Sequence, residues 1–228
     1  MSMFFPVQAT CDRCRTRTSF NLAASVNADR RPDLRAAILA GTFQAESCPG
    51  CGAALRLPVH LSYLDLGRGQ WILAEDPVAL PAWREAEQHA RQLFDSTYGR
   101  DAPEPAQELG AGLRSRLVFG WTAFRELLTT DSLGLDPVKL ELFKLLLLRT
   151  VRDPPPIAEG TELRLIGSSG VTLEFAWVEG QTEKFLSGLS VSRDTYELVD
   201  VDDPAWAALR QGFGAALFID FRRLFLAQ

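Results

Sequence analysis

Two cysteine pairs constrain this chain more than any other feature in it. They are "CDRC" at 11–14 and "CPGC" at 48–51, and they hold all four cysteines. The pattern is C-x2-C, thirty-three residues, then C-x2-C. A two-residue gap lets one tight turn aim both sulfurs at a common point, so two such pairs read as a single tetrahedral four-thiolate metal site. Zinc suits four soft thiolates and brings no redox chemistry. An iron site of rubredoxin type uses the same ligands, and a dithiol redox pair or two disulfides are the remaining alternatives. The expected ligands are Cys11, Cys14, Cys48 and Cys51, around one Zn2+ per chain. Such a set is closed, with no position for water or substrate, which favours a structural over a catalytic role. His60 and His89, the only histidines, are then not needed as ligands.

A metal reading requires reduced thiols. The start, "MSMFFPVQAT", lacks the positive and apolar stretches of a secretory signal. The run "VKLELFKLLLL" (138–148) is too short to span a bilayer and is broken by Lys139, Glu141 and Lys144. The expectation is a cytoplasmic protein without a membrane segment, where thiols stay reduced. With 228 residues, 46% apolar and 23% charged, the chain is long enough to bury a core without staples. The net charge of −5 exerts no global pull toward nucleic acid or anionic lipid. The charge is uneven, however: residues 1–60 carry seven Arg against four Asp/Glu, and the rest carries seventeen Lys/Arg against twenty-five Asp/Glu. Arginine outnumbers lysine twenty-one to three, a compositional trait of GC-rich bacterial genomes.

The patterning predicts an α+β protein in three regions. Residues 1–75 hold an N-terminal four-cysteine zinc ribbon with an inserted short helix at 32–40, where Pro32 suits a first helical position and Gly41 the stop. After the second cysteine pair, "ALRLPVHLSYLDL" and "GQWILAED" read as strands joined at Gly67–Gly69. Residues 76–150 form a mainly helical middle, with helices over 81–99, 121–134 and 136–150, Asp136 as an N-cap, a loop over 101–112 and a short strand in "SRLVFG". The helix at 136–150 is apolar nearly all round, so it belongs in a core or an interface. Residues 151–228 follow the stiff "DPPPIAEG" and form an α+β subdomain. Its first feature is a β-hairpin turning at "GSSG" (167–170). "KFLSGLSV" adds a strand, and 203–213 a helix capped by Asp203. "AALFIDFRRLFLAQ" fits helix and strand equally.

"CDRC", the helix "PDLRAAILAGTF", "CPGCG" and "LRLPVHLSYLD" together resemble the CpXC family, bacterial and archaeal proteins with two Cys-x-x-Cys motifs. "RLVFGWTAFRELLTTDSLGLDPVKLELFKLLL" resembles the helical part of such proteins more loosely. The resemblance implies bound zinc, with Cys11, Cys14, Cys48 and Cys51 as its ligands, and implies no catalytic residue. Asp12 stands where the family usually has Pro, and Arg15 where it usually has Gly. A non-glycine residue in a left-handed conformation costs of order 1 kcal/mol, which predicts a looser first turn or one of another type.

Sites for chemistry are scarce. The chain has no G-x-x-x-x-G-K-S/T loop and no G-x-S-x-G elbow. "LGAGLRS" lacks the third glycine of a dinucleotide fingerprint, and "DVDD" (200–203) reads as a solvated cap. An enzyme with an unrecognised site is the third reading. The first is a non-enzymatic module that binds a protein partner or a second copy of itself. The second is a nucleic-acid-binding regulator that uses Arg13, Arg15, Arg17 and Arg56. The first three of these arginines alternate, so an extended chain would present them on one side. The patch is small and has no interleaved aromatics, which disfavours nucleic acid.

Overall fold

The computed structural model describes residues 1–150 and 160–226, and it is α+β. It divides into two units. Unit 1 comprises Met1–Asp76 and His89–Arg116, and unit 2 comprises Pro77–Gln88 and the chain from Leu117 onward. No helix among the described residues is long and apolar enough to cross a membrane. Most of "DPPPIAEG" lies outside the described residues.

Unit 1 begins with an antiparallel hairpin, β1 (Met3–Thr10) and β2 (Arg17–Asn27), in register from Thr10↔Arg17 back to Phe4↔Ala23. Neither strand was anticipated. "RTSFNLAASVN" mixes the strand formers Thr18, Phe20 and Val26 with Ala and Asn, which strands disfavour, and only its second half is buried. Helix α1 (Pro32–Leu39) buries Leu34 and Ile38, one turn apart on one face, and ends at Gly41 with φ 72°. The region expected as one strand after the second cysteine pair is two. β3 (Ala45–Ser47) pairs with β4 (Ala54–Arg56), while β5 (Leu61–Asp65) pairs in parallel with β2. β5 turns back into β6 (Gln70–Glu75) through residues 66–69, as expected. With β7 (Arg114–Phe119) the larger sheet runs β1-β2-β5-β6-β7.

Helix α2 (Trp83–Thr97) follows a 3-10 turn at Pro77–Ala82. The loop expected over 101–112 instead contains a helix, α3 (Glu104–Gly110), with proline in its first turn, where the missing N–H costs nothing. Gly110 is obligatory there, because a Cβ would lie 1.9 Å from the Tyr98 carbonyl oxygen.

Unit 2 is built on a three-stranded meander, β8 (Thr161–Ser169), β9 (Thr172–Glu179) and β10 (Phe185–Ser192), with β9 central. The hairpin turns at Gly170–Val171 rather than within 167–170. Gly170 has φ 60°, while Gly167, Ser168 and Ser169 stay in the ladder. Helices α4 (Gly120–Ser132) and α5 (Pro137–Thr150) follow the expected spans, and Asp136 accepts the Lys139 N–H at 2.7 Å. Leu140, Leu142, Phe143 and Leu147 of α5 pack with Leu163, Phe175 and Trp177 of the sheet. Phe143 meets Phe175 at 5.9 Å and Tyr196, of the short helix α6 (Arg193–Glu197), at 5.7 Å. Asp203 caps a 3-10 turn that leads into α7 (Ala207–Gly214). The segment 215–226 settles as neither of its expected forms; it is irregular with a 3-10 turn at Phe221–Leu224.

Unit 2 also buries a polar network. Arg164 donates to Glu126 at 2.7 Å, Glu162 at 2.8 Å and Asp220 at 2.9 Å. Lys144, fully buried, sits 2.6 Å from Glu141 and 2.8 Å from Glu126. Arg222 contacts Asp220 at 2.8 Å and also Glu162. These residues come from α4, α5, β8 and the C-terminal segment, so the network ties that segment to regular structure.

Candidate metal centre

Each cysteine pair occupies the tip of a hairpin: Cys11 and Cys14 between β1 and β2, and Cys48 and Cys51 between β3 and β4. The two tips share one backbone pattern. In the first, the Cys11 N–H donates to the Thr16 carbonyl at 3.0 Å and the Arg15 N–H to the Cys11 carbonyl at 2.8 Å. In the second, the Cys48 N–H donates to the Ala53 carbonyl and the Gly52 N–H to the Cys48 carbonyl, both at 2.8 Å. The residue after each second cysteine is left-handed, Arg15 at φ 60° and Gly52 at φ 69°. The first turn is therefore neither looser nor of another type. Arg15 takes the strained conformation, and the hairpin registers on either side hold it there. Arg15→Gly is expected to leave metal content unchanged and to raise thermal stability slightly, by up to about 1 kcal/mol, in a melting experiment.

The four sulfurs all lie within 4.8 Å of one another. Cys11 Sγ is 3.8 Å from Cys51 Sγ, and Cys14 Sγ is 3.5 Å from Cys48 Sγ. The cysteines are free, and a disulfide would need sulfurs at about 2.05 Å. A tetrahedral ion with ligands at about 2.3 Å separates its sulfurs by about 3.8 Å, so the spacing fits a four-thiolate metal. The first cysteine of each pair is buried, Cys11 at 1% and Cys48 at 2% exposure. Gly50 lets the tips approach: a Cβ there would meet Thr16 Oγ1 at 2.5 Å and Cys14 Sγ at 3.4 Å.

The electrostatics are compatible with a cation. The Thr16 hydroxyl, 3.2 Å from Cys14 Sγ, and the Thr16 backbone hold the Cys14 thiol down to about 6. At Cys51 the Ala53 backbone favours the thiolate, but the neighbouring thiols of Cys14, Cys11 and Cys48, with burial, push it up to about 12. Four thiolates this close repel each other, and a divalent ion at their centre removes that penalty.

The other residues singled out in the sequence divide. Arg13, Arg15 and Arg17 are exposed beside the site. They do not alternate along an extended strand, because residues 12–14 form a turn and Arg15 is left-handed. Arg56 is half-buried and donates to the backbone carbonyls of Gly41, at 3.4 Å, and Phe43. His60 stands apart from the thiols, 2.5 Å from Glu75. Thr16 and Gly50 were not singled out. The position of Thr16, two after a second cysteine and matched by Ala53 in the other pair, was the available signal.

A family model described as "CpXC protein" matches residues 9–144. The match takes in all four cysteines and runs into α5. No curated protein and no solved structure matches the chain.

Proposed function

The chain belongs to the CpXC family, and from that premise we propose that it is a zinc-binding, non-enzymatic module of zinc-ribbon type that recognises or scaffolds a protein partner in the cytoplasm, a second copy of itself included. The observation that carries this reading is the closed set of four sulfurs within 4.8 Å. Four thiolates fill a tetrahedral zinc and leave no coordination position for substrate, so the metal supports structure around it. A surface for a partner lies at the other end of the first hairpin: Met3, Phe4 and Phe5 are 40–56% exposed on β1, the edge strand of its sheet among the described residues.

The test has two parts. Metal analysis of the purified chain is expected to return about one zinc per chain; iron in its place would overturn the choice of metal. Affinity capture from the host is expected to return one stoichiometric protein, or the chain itself as a dimer in sizing experiments, and either is lost with Cys48→Ser. A monomer that captures nothing would sink the partner reading. The second reading, a nucleic-acid regulator, draws on the exposure of Arg13, Arg15 and Arg17. It expects retention on heparin that weakens steeply with salt and with Arg17→Ala. Arg56 supports it less, because its guanidinium is engaged with backbone carbonyls.

A further inference from the structure

The buried network of unit 2 does not balance. Among the described residues it contains four carboxylates, Glu126, Glu141, Glu162 and Asp220, and three cations, Lys144, Arg164 and Arg222. None of the seven is more than 6% exposed. Fully ionised, they would place one uncompensated negative charge out of water, which is costly enough that a group takes a proton instead. The contacts single out which one. Asp220 and Glu162 each meet both arginines. Glu126 meets Arg164, Lys144 and the Leu165 N–H. Glu141 contacts no arginine among the described residues; its partners are Lys144, which it shares with Glu126, and the Phe221 N–H at 2.8 Å.

We propose that the network holds one proton on the Glu141 carboxyl while the segment 215–226 is docked and releases it when that segment opens, so that docking of the C-terminal segment responds to pH. The segment is held through this chemistry: Asp220 and Arg222 belong to it, and its Phe221 N–H lies on Glu141. The groups facing Glu141 are Lys144 of its own helix, Glu126 of α4, Asp220 of the segment and, across the network, Arg164 of β8. Burial pushes the Glu141 carboxyl up to about 7; Asp220 and Glu126 add to this, and Lys144 opposes it. Burial acts the same way on Asp220 and Glu162, but the two arginines outweigh it and hold both below the usual carboxylate range.

The direction follows. A carboxyl with a raised value when docked keeps its proton there and loses it on opening. Docking is therefore strongest near pH 4.5, weakens as pH rises toward about 7, and levels off above that. Asp220 and Glu162 act oppositely and only at lower pH, where their protonation would break the arginine pairs. Both histidines and all four cysteines belong to unit 1, so no group of those types in unit 2 competes in this window.

The experiment is hydrogen exchange of the peptide covering 215–226 in the full chain at pH 5 and pH 8, corrected for intrinsic exchange. The wild-type segment is expected to open more readily at pH 8, by on the order of 100-fold. Glu141→Gln, which replaces the protonated carboxyl with a neutral amide of the same shape, is expected to remove the dependence and to open less than wild type at pH 8. A wild-type segment equally protected at both values would overturn the proposal. So would a Glu141→Gln chain that opens more than wild type at pH 8 or fails to fold, because an ordinary structural ion pair behaves that way.

Discussion

Cys48→Ser is expected to strip the chain of its metal and to loosen residues 1–75. The size of the effect follows from how the site is held. Each sulfur sits at the tip of a hairpin whose strands are short or largely exposed, β3 and β4 having only three residues each. Little apolar burial secures those tips, so a bound ion would contribute most of what keeps them together. In small modules with four such ligands, metal binding amounts to on the order of 10 kcal/mol of folding energy. Serine is nearly the size of cysteine but a poor ligand for a soft ion, so the variant tests coordination rather than packing. Metal analysis should fall from about one ion per chain to a small fraction, and protease should cleave between positions 11 and 51 well before the wild type is cut. Wild-type protein treated with a strong chelator should behave in the same way. Retention of full metal content by Cys48→Ser would show that the sulfurs are not the ligands.

The second large effect belongs to unit 2. Arg164→Met should lower its stability by about 3–5 kcal/mol, the usual cost of removing one partner from a buried ion network. Arg164 is the hub, contacting Glu126, Glu162 and Asp220. Methionine fills much of the volume but leaves four carboxylates with Arg222 and Lys144 as the network's two remaining cations among the described residues. In urea unfolding the midpoint should fall sharply, and the melting temperature should drop by on the order of 10 °C. The contrast with Glu141→Gln is informative. Both substitutions remove one charge from the same network, yet one removes compensation and the other removes the excess. The two variants should therefore move stability in opposite directions at pH 8. If both destabilised equally, charge balance would not govern the network.

The sequence disclosed the cysteine cluster because its information is local. Two cysteines three positions apart must share a turn, and two such pairs complete a four-ligand set without the histidines. The helices were legible for a similar reason: Pro32, Gly41, Asp136 and Asp203 act on their immediate neighbours. The strands β1 and β2 were missed although Phe20, Leu22 and Val26 alternate with Ser19, Asn21, Ser25 and Asn27; β1 and the first half of β2 are largely exposed, so burial marks them weakly. The ion network was hidden for a different reason. Glu141 and Lys144 interrupt a helix that is otherwise apolar nearly all round, and their spacing does not name the partners they take. Arg164 is 38 positions from Glu126 and 56 from Asp220. Charges that find each other over such distances leave no spacing rule in the sequence, and only the packing of α4, α5, β8 and the last segment brings them together.

The arrangement of the centre also has a consequence for how the protein is made. Cys11 and Cys51, whose sulfurs face each other, are 40 positions apart. A ribosome adding about 5–20 residues per second exposes the first hairpin tip a few seconds before the second exists. During that interval the nascent chain offers only two thiols, too few to retain the ion firmly and open to oxidation. If the four thiols take up a metal, capture can be completed only after Cys51 has emerged, and the ion would then clasp a loop containing β2 and α1. On the zinc-binding reading, a shortage of metal is thus expected to show first in newly synthesised chains.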